Sequence, residues 1–394
     1  MDLRYSESDE RFRAELRSWL AGVLPKLPAK PAPEDWPARR DYDTGWQRQL
    51  FDAGYAGINW PTEYGGRGAT LVEQLIFLEE TTRAGAPYVG VNFVGAMHAG
   101  PTIMAEASDE QKARHLPRIL RGEEVWCQGF SEAGSGSDLA SLSTKGVRDG
   151  DEYVVTGEKI WTSFAQVADW CELLIRTDPD APKHKGITWV MFPMDTPGIE
   201  IRPIETIVGS SEFSEVFFDE ARVPIANRVG AENDGWRVAM VTFGFERGTG
   251  FVSDLVETDR MLSELVELAR LVTRNKATAW DDQALRRELA HLQAEMDALW
   301  ALTKRNLSQA ARTGVPGPLG SVVKVAYSEL YQRATDLAMR ILDRGSLSRD
   351  DLGDWPSGRF VEERLRSTSF TIAAGTSQIQ RNIIAERILG LPRE

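Results

Sequence analysis

The spacing of apolar residues changes twice along this chain, from a helical period to a strand period and back, and that switch restricts its possible folds more than any other feature. In residues 8–24, Phe12, Leu16, Trp19, Leu20 and Val23 recur at three- and four-residue steps, which lines them up on one stripe of a helix closed by Pro25. Similar stripes run through residues 42–53, 71–83 and 108–120, while the Pro/Ala-rich stretch 26–37 reads as a surface connection. Beyond Glu124 the period shortens. Residues 153–155 and 159–161, on either side of a Thr-Gly-Glu step, and residues 173–176, 188–192 and 215–218 are rich in β-branched and aromatic types, so they predict strands. After Pro224 helical stripes return in residues 235–274, 281–311, 319–342 and 361–389.

This order predicts an α+β chain: a helical domain over residues 1–123, a β domain over residues 124–233 and a second helical domain over residues 234–394. A length of 394 residues accommodates two or three domains. No repeat at a fixed period is present, which excludes an array. With 46 Lys+Arg against 59 Asp+Glu the net charge is −13, a poor match for binding nucleic acid or an anionic membrane. The start, MDLRYSESDERFR, is acidic where a signal peptide needs a basic and then an apolar run. Apolar windows such as residues 89–97 are broken by Gly and Asn, short of the roughly 18–20 residues of a membrane span. A cytoplasmic protein is expected. Cys127 and Cys171 are the two cysteines; they cannot form a disulfide framework, lack the spacing of a zinc site, and are expected to be buried free thiols.

Three segments carry candidate chemistry: WCQGFSEAGSGSD (126–138), GEKIWTS (157–163) and AGTSQIQRNIIAERILGLPR (374–393). In the first, Gly134 and Gly136 permit tight turns and Ser131, Ser135 and Ser137 offer hydroxyls; by itself this is an ordinary surface turn. In the second, Trp161 reads either as core or as an aromatic face for a ligand. In the third, Thr376 ahead of a helix reads first as an N-cap. Elsewhere, the neighbours Glu246 and Arg247 form either a solvated pair on a helix or a desolvated carboxylate among Phe243, Phe245 and Phe251, with its pKa raised toward a value suited to proton abstraction.

Taken together with EFSEVFFDEARVP (212–224), the order and separation of these segments resemble the acyl-CoA dehydrogenase family of flavoproteins over nearly the whole chain. The resemblance implies an N-terminal helical domain, a middle β-barrel-like domain and a C-terminal four-helix bundle, with FAD as cofactor. It implies removal of two hydrogens beside a thioester: a proton leaves Cα for a base and a hydride leaves Cβ for the flavin N5, giving a trans-2-enoyl-CoA. It sets the strand edge from Gln128 through Phe130 to Ser131 along the flavin, Ser131 near N5 and Ser137 by the acyl-CoA. It sets Trp161 against the flavin ring, Ser163 within hydrogen-bonding reach of it, and Thr376 and Gln378 on the pyrophosphate side, ahead of a helix that favours negative charge.

Departures from the family pattern are informative. Many members carry the catalytic glutamate immediately before the Gly-Thr pair, where this chain has Ala374. A second group supplies the carboxylate from a helix near the start of the last domain, and FGFERG puts Glu246 there, with Phe245 and Arg247 beside the substrate. The Ala374 backbone N–H, with a ribityl hydroxyl of the flavin, then polarises the thioester carbonyl. The Arg-Phe-Gly and Gln-x-x-Gly-Gly-x-Gly segments with which homotetrameric members reach a neighbour's FAD are missing; the corresponding stretches read RNKATAW (274–280) and RILDRGSL (340–347). The resemblance thus extends to the mixed-tetramer dehydrogenases of bacterial steroid breakdown, acting on bulky or steroid-derived acyl-CoA and passing electrons to an electron-transfer flavoprotein. A homotetramer, a simple fatty acyl-CoA substrate, an oxidase or nitroalkane enzyme of the same fold, and a flavin-poor assembly subunit are the alternatives.

Overall fold

Local chemistry sets the ends of the elements in the computed structural model, which describes residues 5–246, 251–274, 276–313 and 318–392, without the side chains of residues 245–246 and 310–313. Helix α1 (Glu7–Val23) stops at a 3-10 turn containing Pro25. Helix α2 (Trp36–Asp52) starts inside the stretch read as a connection, because Asp35 caps the Ala38 N–H and Pro37 occupies the first turn, where its missing N–H costs nothing. Helix α3 (Leu71–Arg83) follows its stripe. The broken window around residues 89–97 becomes a 3-10 turn (Gly90–Asn92), a π-helical turn (Gly95–Ala99) and helix α4 (Gly100–Glu106). Helix α5 (Asp109–Leu120) opens on a capping box formed by Ser108 and Gln111.

The strands of the main sheet are β1 (Trp126–Gly129), β2 (Lys145–Asp149), β3 (Glu152–Ser163), β4 (Trp170–Arg176), β5 (Ile187–Pro193), β6 (Ile199–Ile204), β7 (Phe213–Pro224) and β8 (Arg228–Val229). They form one mixed sheet in the order β6-β7-β3-β2-β4-β5-β8, with β1 added parallel to β4. The Gly157 step, which the sequence presents as a gap between two strands, is an irregularity within β3. Its φ of 152° and a Cβ position 2.7 Å from the Thr144 Cα explain the glycine. Val155, Leu173, Val190, Phe192 and Val216 fill the core of the sheet together with Cys127 and Cys171. These two thiols are register partners on β1 and β4, both free and buried. Burial and its Cys171 neighbour push the Cys127 thiol well up.

After the sheet come α6 (Gly235–Glu246), α7 (Val252–Leu271), α8 (Gln283–Thr313), α9 (Leu319–Leu342), α10 (Ser357–Phe370) and α11 (Ser377–Arg387). The stripe at residues 361–389 is therefore two helices, split by a turn. Helix α9 packs against α7, α8, α10 and α11 around Leu265, Leu292, Met296, Tyr327 and Leu337. By contacts the chain divides into two compact units, one of residues 14–77 and 85–246, the other of residues 1–13, 78–84 and 247–394. The sheet and α6 belong to the first, α7–α11 to the second. Among the described residues no helix is long and apolar enough to cross a membrane.

Candidate functional site

Residues of the first two sequence segments meet in the sheet unit. Strand β1 runs parallel to β4 with Gln128 opposite Glu172, so the two-residue period puts Trp126, Gln128 and Phe130 on one face and Cys127 and Gly129 on the other. A Cβ at Gly129 would lie 2.8 Å from both the Cys171 Sγ and the Leu173 Cδ1; only glycine lets the strands pack this closely. Past the buried Phe130 the chain turns at a bridge between Glu132 and Ser135. Gly134 and Gly136 are not what permits this turn: neither has a positive φ, and each has open space where a Cβ would stand. The anchor is Glu132. Its carboxylate accepts from the Ser143 N–H at 2.7 Å, the Ser143 Oγ at 2.8 Å, the Thr144 N–H at 2.8 Å and the Lys159 Nζ at 2.8 Å. Burial raises the Glu132 pKa, but the Lys159 ammonium and these hydrogen bonds outweigh it and hold the carboxyl at about 2. Lys159, wholly buried on β3, also donates to the Phe130 carbonyl at 3.1 Å, and the Ile160 N–H donates to the Ser131 carbonyl at 2.9 Å. The two segments are thus stapled together by a buried ion pair.

Immediately after Lys159 the β3–β7 register shifts, and Trp161 takes a left-handed φ of 62°. Its side chain is 56% exposed and meets Phe213 edge-on at 6.0 Å. The reading of Trp161 as core is therefore wrong: the bulge turns the indole outward, in a backbone conformation that costs a bulky residue about 1–3 kcal/mol. Next to it Thr162 is buried with an Oγ1 that has no hydrogen-bond partner among the described residues, and Ser163 is half-buried in register with Phe213. Ser131 is half-buried and Ser137 exposed. Asp138 is also exposed, held by Lys183 at 2.8 Å and Ser141 at 2.6 Å.

Helix α6 packs against β5, α4 and the Gly95–Ala99 turn and reaches the first segment at Phe130. Phe243 meets Phe130 at 5.9 Å with the rings perpendicular, and the Thr242 and Thr102 hydroxyls are 2.8 Å apart. Positions 239, 242, 243 and 246 share one stripe of a helix, so position 246, the last of α6, continues the stripe that carries these contacts. The side chains of Glu246 and Phe245 and the whole of Arg247 lie outside the described residues. Gln128 is half-buried and donates to the Glu172 Oε1 at 2.7 Å.

The third segment belongs to the helical unit. Between α10 and α11 the chain reverses through Ala374 (φ 52°) and Gly375 (φ 81°). Gln380 Nε2 donates to the Ala374 carbonyl at 2.9 Å, while the Ala374 N–H has no hydrogen-bond partner among the described residues. Thr376 caps α11, its hydroxyl accepting from the Ile379 N–H at 3.2 Å; Gln378, in the first turn, is exposed. In the stretch that departs from the family pattern, Arg274 turns back onto its own unit and donates to the carbonyls of Arg340 and Ile341 at the end of α9.

Sequence reasoning passed over Glu132, Lys159, His98 and Glu172. A lysine inside the β-rich run Glu-Lys-Ile-Trp and a glutamate in Trp-Cys-Glu-Leu-Leu were the available signals, since a charge at a buried strand position requires a partner. Among the described residues no group of three His, Cys, Asp or Glu side chains could hold a metal ion.

Comparison with known proteins adds to this geometry. The acyl-CoA dehydrogenase N-terminal, middle and C-terminal domain families match residues 6–123, 127–221 and 233–389. The acyl-CoA dehydrogenase IpdE1 of Mycobacterium tuberculosis is 39% identical over 392 residues, 98% of each chain. Among solved structures, a chain of the ChsE4-ChsE5 complex from Mycobacterium tuberculosis superposes with a TM-score of 0.85 at 34% identity, each chain fully covered. A chain of the Tcur3481-Tcur3483 steroid ACAD superposes equally well, with a TM-score of 0.85 at 31% identity and full coverage of both.

Proposed function

Because this chain belongs to the acyl-CoA dehydrogenase family, we propose that it oxidises the Cα–Cβ bond of a bulky, ring-bearing or steroid-derived acyl-CoA, with Glu246 as the base, inside an assembly with a related subunit. As a member of that family it is a flavoprotein oxidoreductase with FAD as cofactor. The residues fit such a group: an indole held outward by a strained bulge offers a planar surface for a flat ring, and the half-buried Ser163 follows two positions on. Bound FAD supplies the acceptor for the hydride lost from Cβ.

The rest is carried by side chains and backbone. Glu246 takes the Cα proton as general base. Ala374 cannot act as a base; its N–H, in a turn that leaves it without a protein partner among the described residues, polarises the thioester carbonyl. Ser131 and Ser163 hydrogen-bond the flavin edge, Trp161 keeps water from it, and Gln128 and Phe130 line the same strand. Thr376 and Gln378, at the start of α11, favour the pyrophosphate through the helix N-terminus. Ser137, Phe245 and Arg247 bind the acyl-CoA.

The full-length likeness to chains of a two-component complex and of a two-component steroid enzyme carries the reading of substrate and assembly. The test is to purify the chain alone and with related subunits, measure FAD per polypeptide, and add straight-chain and ring-bearing acyl-CoAs without oxygen. Flavin bleaching by the ring-bearing thioesters, with full FAD content only in the mixed assembly, is the expected result. A chain that alone holds one FAD and is bleached only by straight-chain acyl-CoA would overturn both substrate and assembly. An electron-transfer flavoprotein then re-oxidises the enzyme, and rapid re-oxidation by O₂ would instead mark an oxidase.

A further inference from the structure

Within the helical unit, four polar groups on two neighbouring helices are buried with nothing to bond to. They are Thr303 Oγ1 and Asn306 Oδ1 on α8 and Ser321 Oγ and Lys324 Nζ on α9, and none has a hydrogen-bond partner among the described residues. Their residues are only 2–5% exposed. Such groups are costly to keep unpaired away from water, a charged one most of all. The helical period gathers them. Thr303 and Asn306, three residues apart on α8, line a cavity of about 10 Å³ together with Phe251, Leu255, Gly320 and Val323. On α9, Gly320, Val323, Lys324 and Tyr327 fall on one stripe, and the Tyr327 ring lies 5.6 Å from that of Phe251. A helical side chain leans toward the N-terminus of its helix, which carries Lys324 back over Gly320 and Ser321 toward the cavity.

Charge gives the cavity its sign. The carboxylate that acts on Lys324 is Glu329, and Glu329 is already paired with Arg381. Burial pushes the Lys324 pKa down to about 8, so at neutral pH the side chain is still mainly an ammonium. Helix α9 also begins here, after a Pro318 cap without a side-chain hydrogen bond, so the positive end of its dipole lies at Gly320 and Ser321. A water would leave the ammonium without a counter-charge, and a space of one water-sized sphere is too small for phosphate, sulfate or a carboxylate. We propose that this cavity binds a small monatomic anion, chloride being the abundant one, held by the Lys324 ammonium, the Thr303 and Ser321 hydroxyls and the N-terminus of α9. Asn306 completes the site by turning its amide over, so that the nitrogen faces the anion. The anion joins the end of α8 to the start of α9, and it does so independently of the dehydrogenase reaction.

The test compares thermal unfolding of the full chain in sodium chloride and in sodium gluconate at one ionic strength. The chloride-minus-gluconate difference in midpoint should be about 2–4 °C larger in the wild type than in Lys324→Met. It should follow the logarithmic rise of single-site binding instead of the linear rise of a general salt effect. In gluconate Lys324→Met should be at least as stable as the wild type, because methionine removes an uncompensated buried charge. Thr303→Val, close in shape, should lose at least half of the chloride effect and replaces Lys324→Met if that variant does not fold. Crystals grown with bromide in place of chloride should show an anomalous peak beside Lys324 Nζ. An equal salt difference in wild type and variant, or no anomalous peak at that place, would overturn the proposal and leave the cavity to a water. A peak without the solution effect would mean binding at crystal concentration only, and would overturn it as well.

Discussion

Two turns that carry the family segments, residues 130–144 beside β3 and residues 371–376 ahead of α11, are built by opposite means. The first is held from inside: Glu132 collects four donors, and its partner Lys159 is wholly buried. The second is held without an ion pair, by the Thr376 cap, side-chain bonds from Gln380 to the Ala374 carbonyl and from Gln332 to the Thr371 hydroxyl, and two residues of positive φ. A turn locked by a buried ion pair presents its backbone at a fixed place and leaves little freedom to its sequence. An exposed turn that relies on backbone conformation can exchange a side chain and keep its N–H groups where they are. The contrast gives a physical reason why the second turn can carry Ala374 without losing its backbone geometry, whereas the first depends on the Glu132–Lys159 pair.

Breaking the inner lock should have the largest effect. Glu132→Gln leaves the Lys159 ammonium buried without its counter-charge and should cost about 3–5 kcal/mol in chemical denaturation. The sign of the pH dependence follows from the depressed Glu132 pKa of about 2. The pair's contribution is fully present above the unfolded carboxyl value, near 4.3, and is lost as pH falls toward 2. Unfolding midpoints measured across that window should drop with acid in the wild type, and less steeply in Glu132→Gln.

In the outer turn, Gly375→Ala forces an L side chain to a φ of 81° and puts a Cβ 2.7 Å from the Gln380 Nε2, which should cost about 1–2 kcal/mol. Thr376→Ala removes a single cap and should cost about 1 kcal/mol, with Thr376→Ser largely preserving it. Equal losses from the Glu132 and Thr376 variants would erase the distinction between the two turns. Trp161→Ala should have the smallest effect on stability, within about 0.5 kcal/mol, because the indole is exposed. Its effect should appear instead as weaker FAD retention on gel filtration. A large loss of stability with unchanged FAD content would return Trp161 to the role of a structural residue.

The same contrast explains what the sequence made legible. Stripes are local, so α3 and α5 could be read directly. The start of α2 could not, because it depends on Asp35 and Pro37 and not on apolar spacing. Strand β3 looked like two strands because Gly157 interrupts its pattern, and the break between α10 and α11 was hidden by a continuous stripe that backbone conformation at Ala374 and Gly375 overrides. Strand β1 has four residues, one of them glycine, too few for a pattern, and entered through the family resemblance. The exposure of Trp161 depends on a register shift against β7, and the Glu132–Lys159 pair spans 27 positions. Neither is visible until the strands are paired.

The most direct test of the central claim is to mix the FAD-loaded Glu246→Gln variant with an acyl-CoA that bleaches the wild-type flavin, without oxygen, and to follow absorbance in a stopped-flow instrument. If Glu246 is the base, the variant retains its FAD and binds the thioester, yet bleaching slows by several orders of magnitude. Bleaching at the wild-type rate would remove Glu246 from the reaction and leave the proton of Cα to another residue.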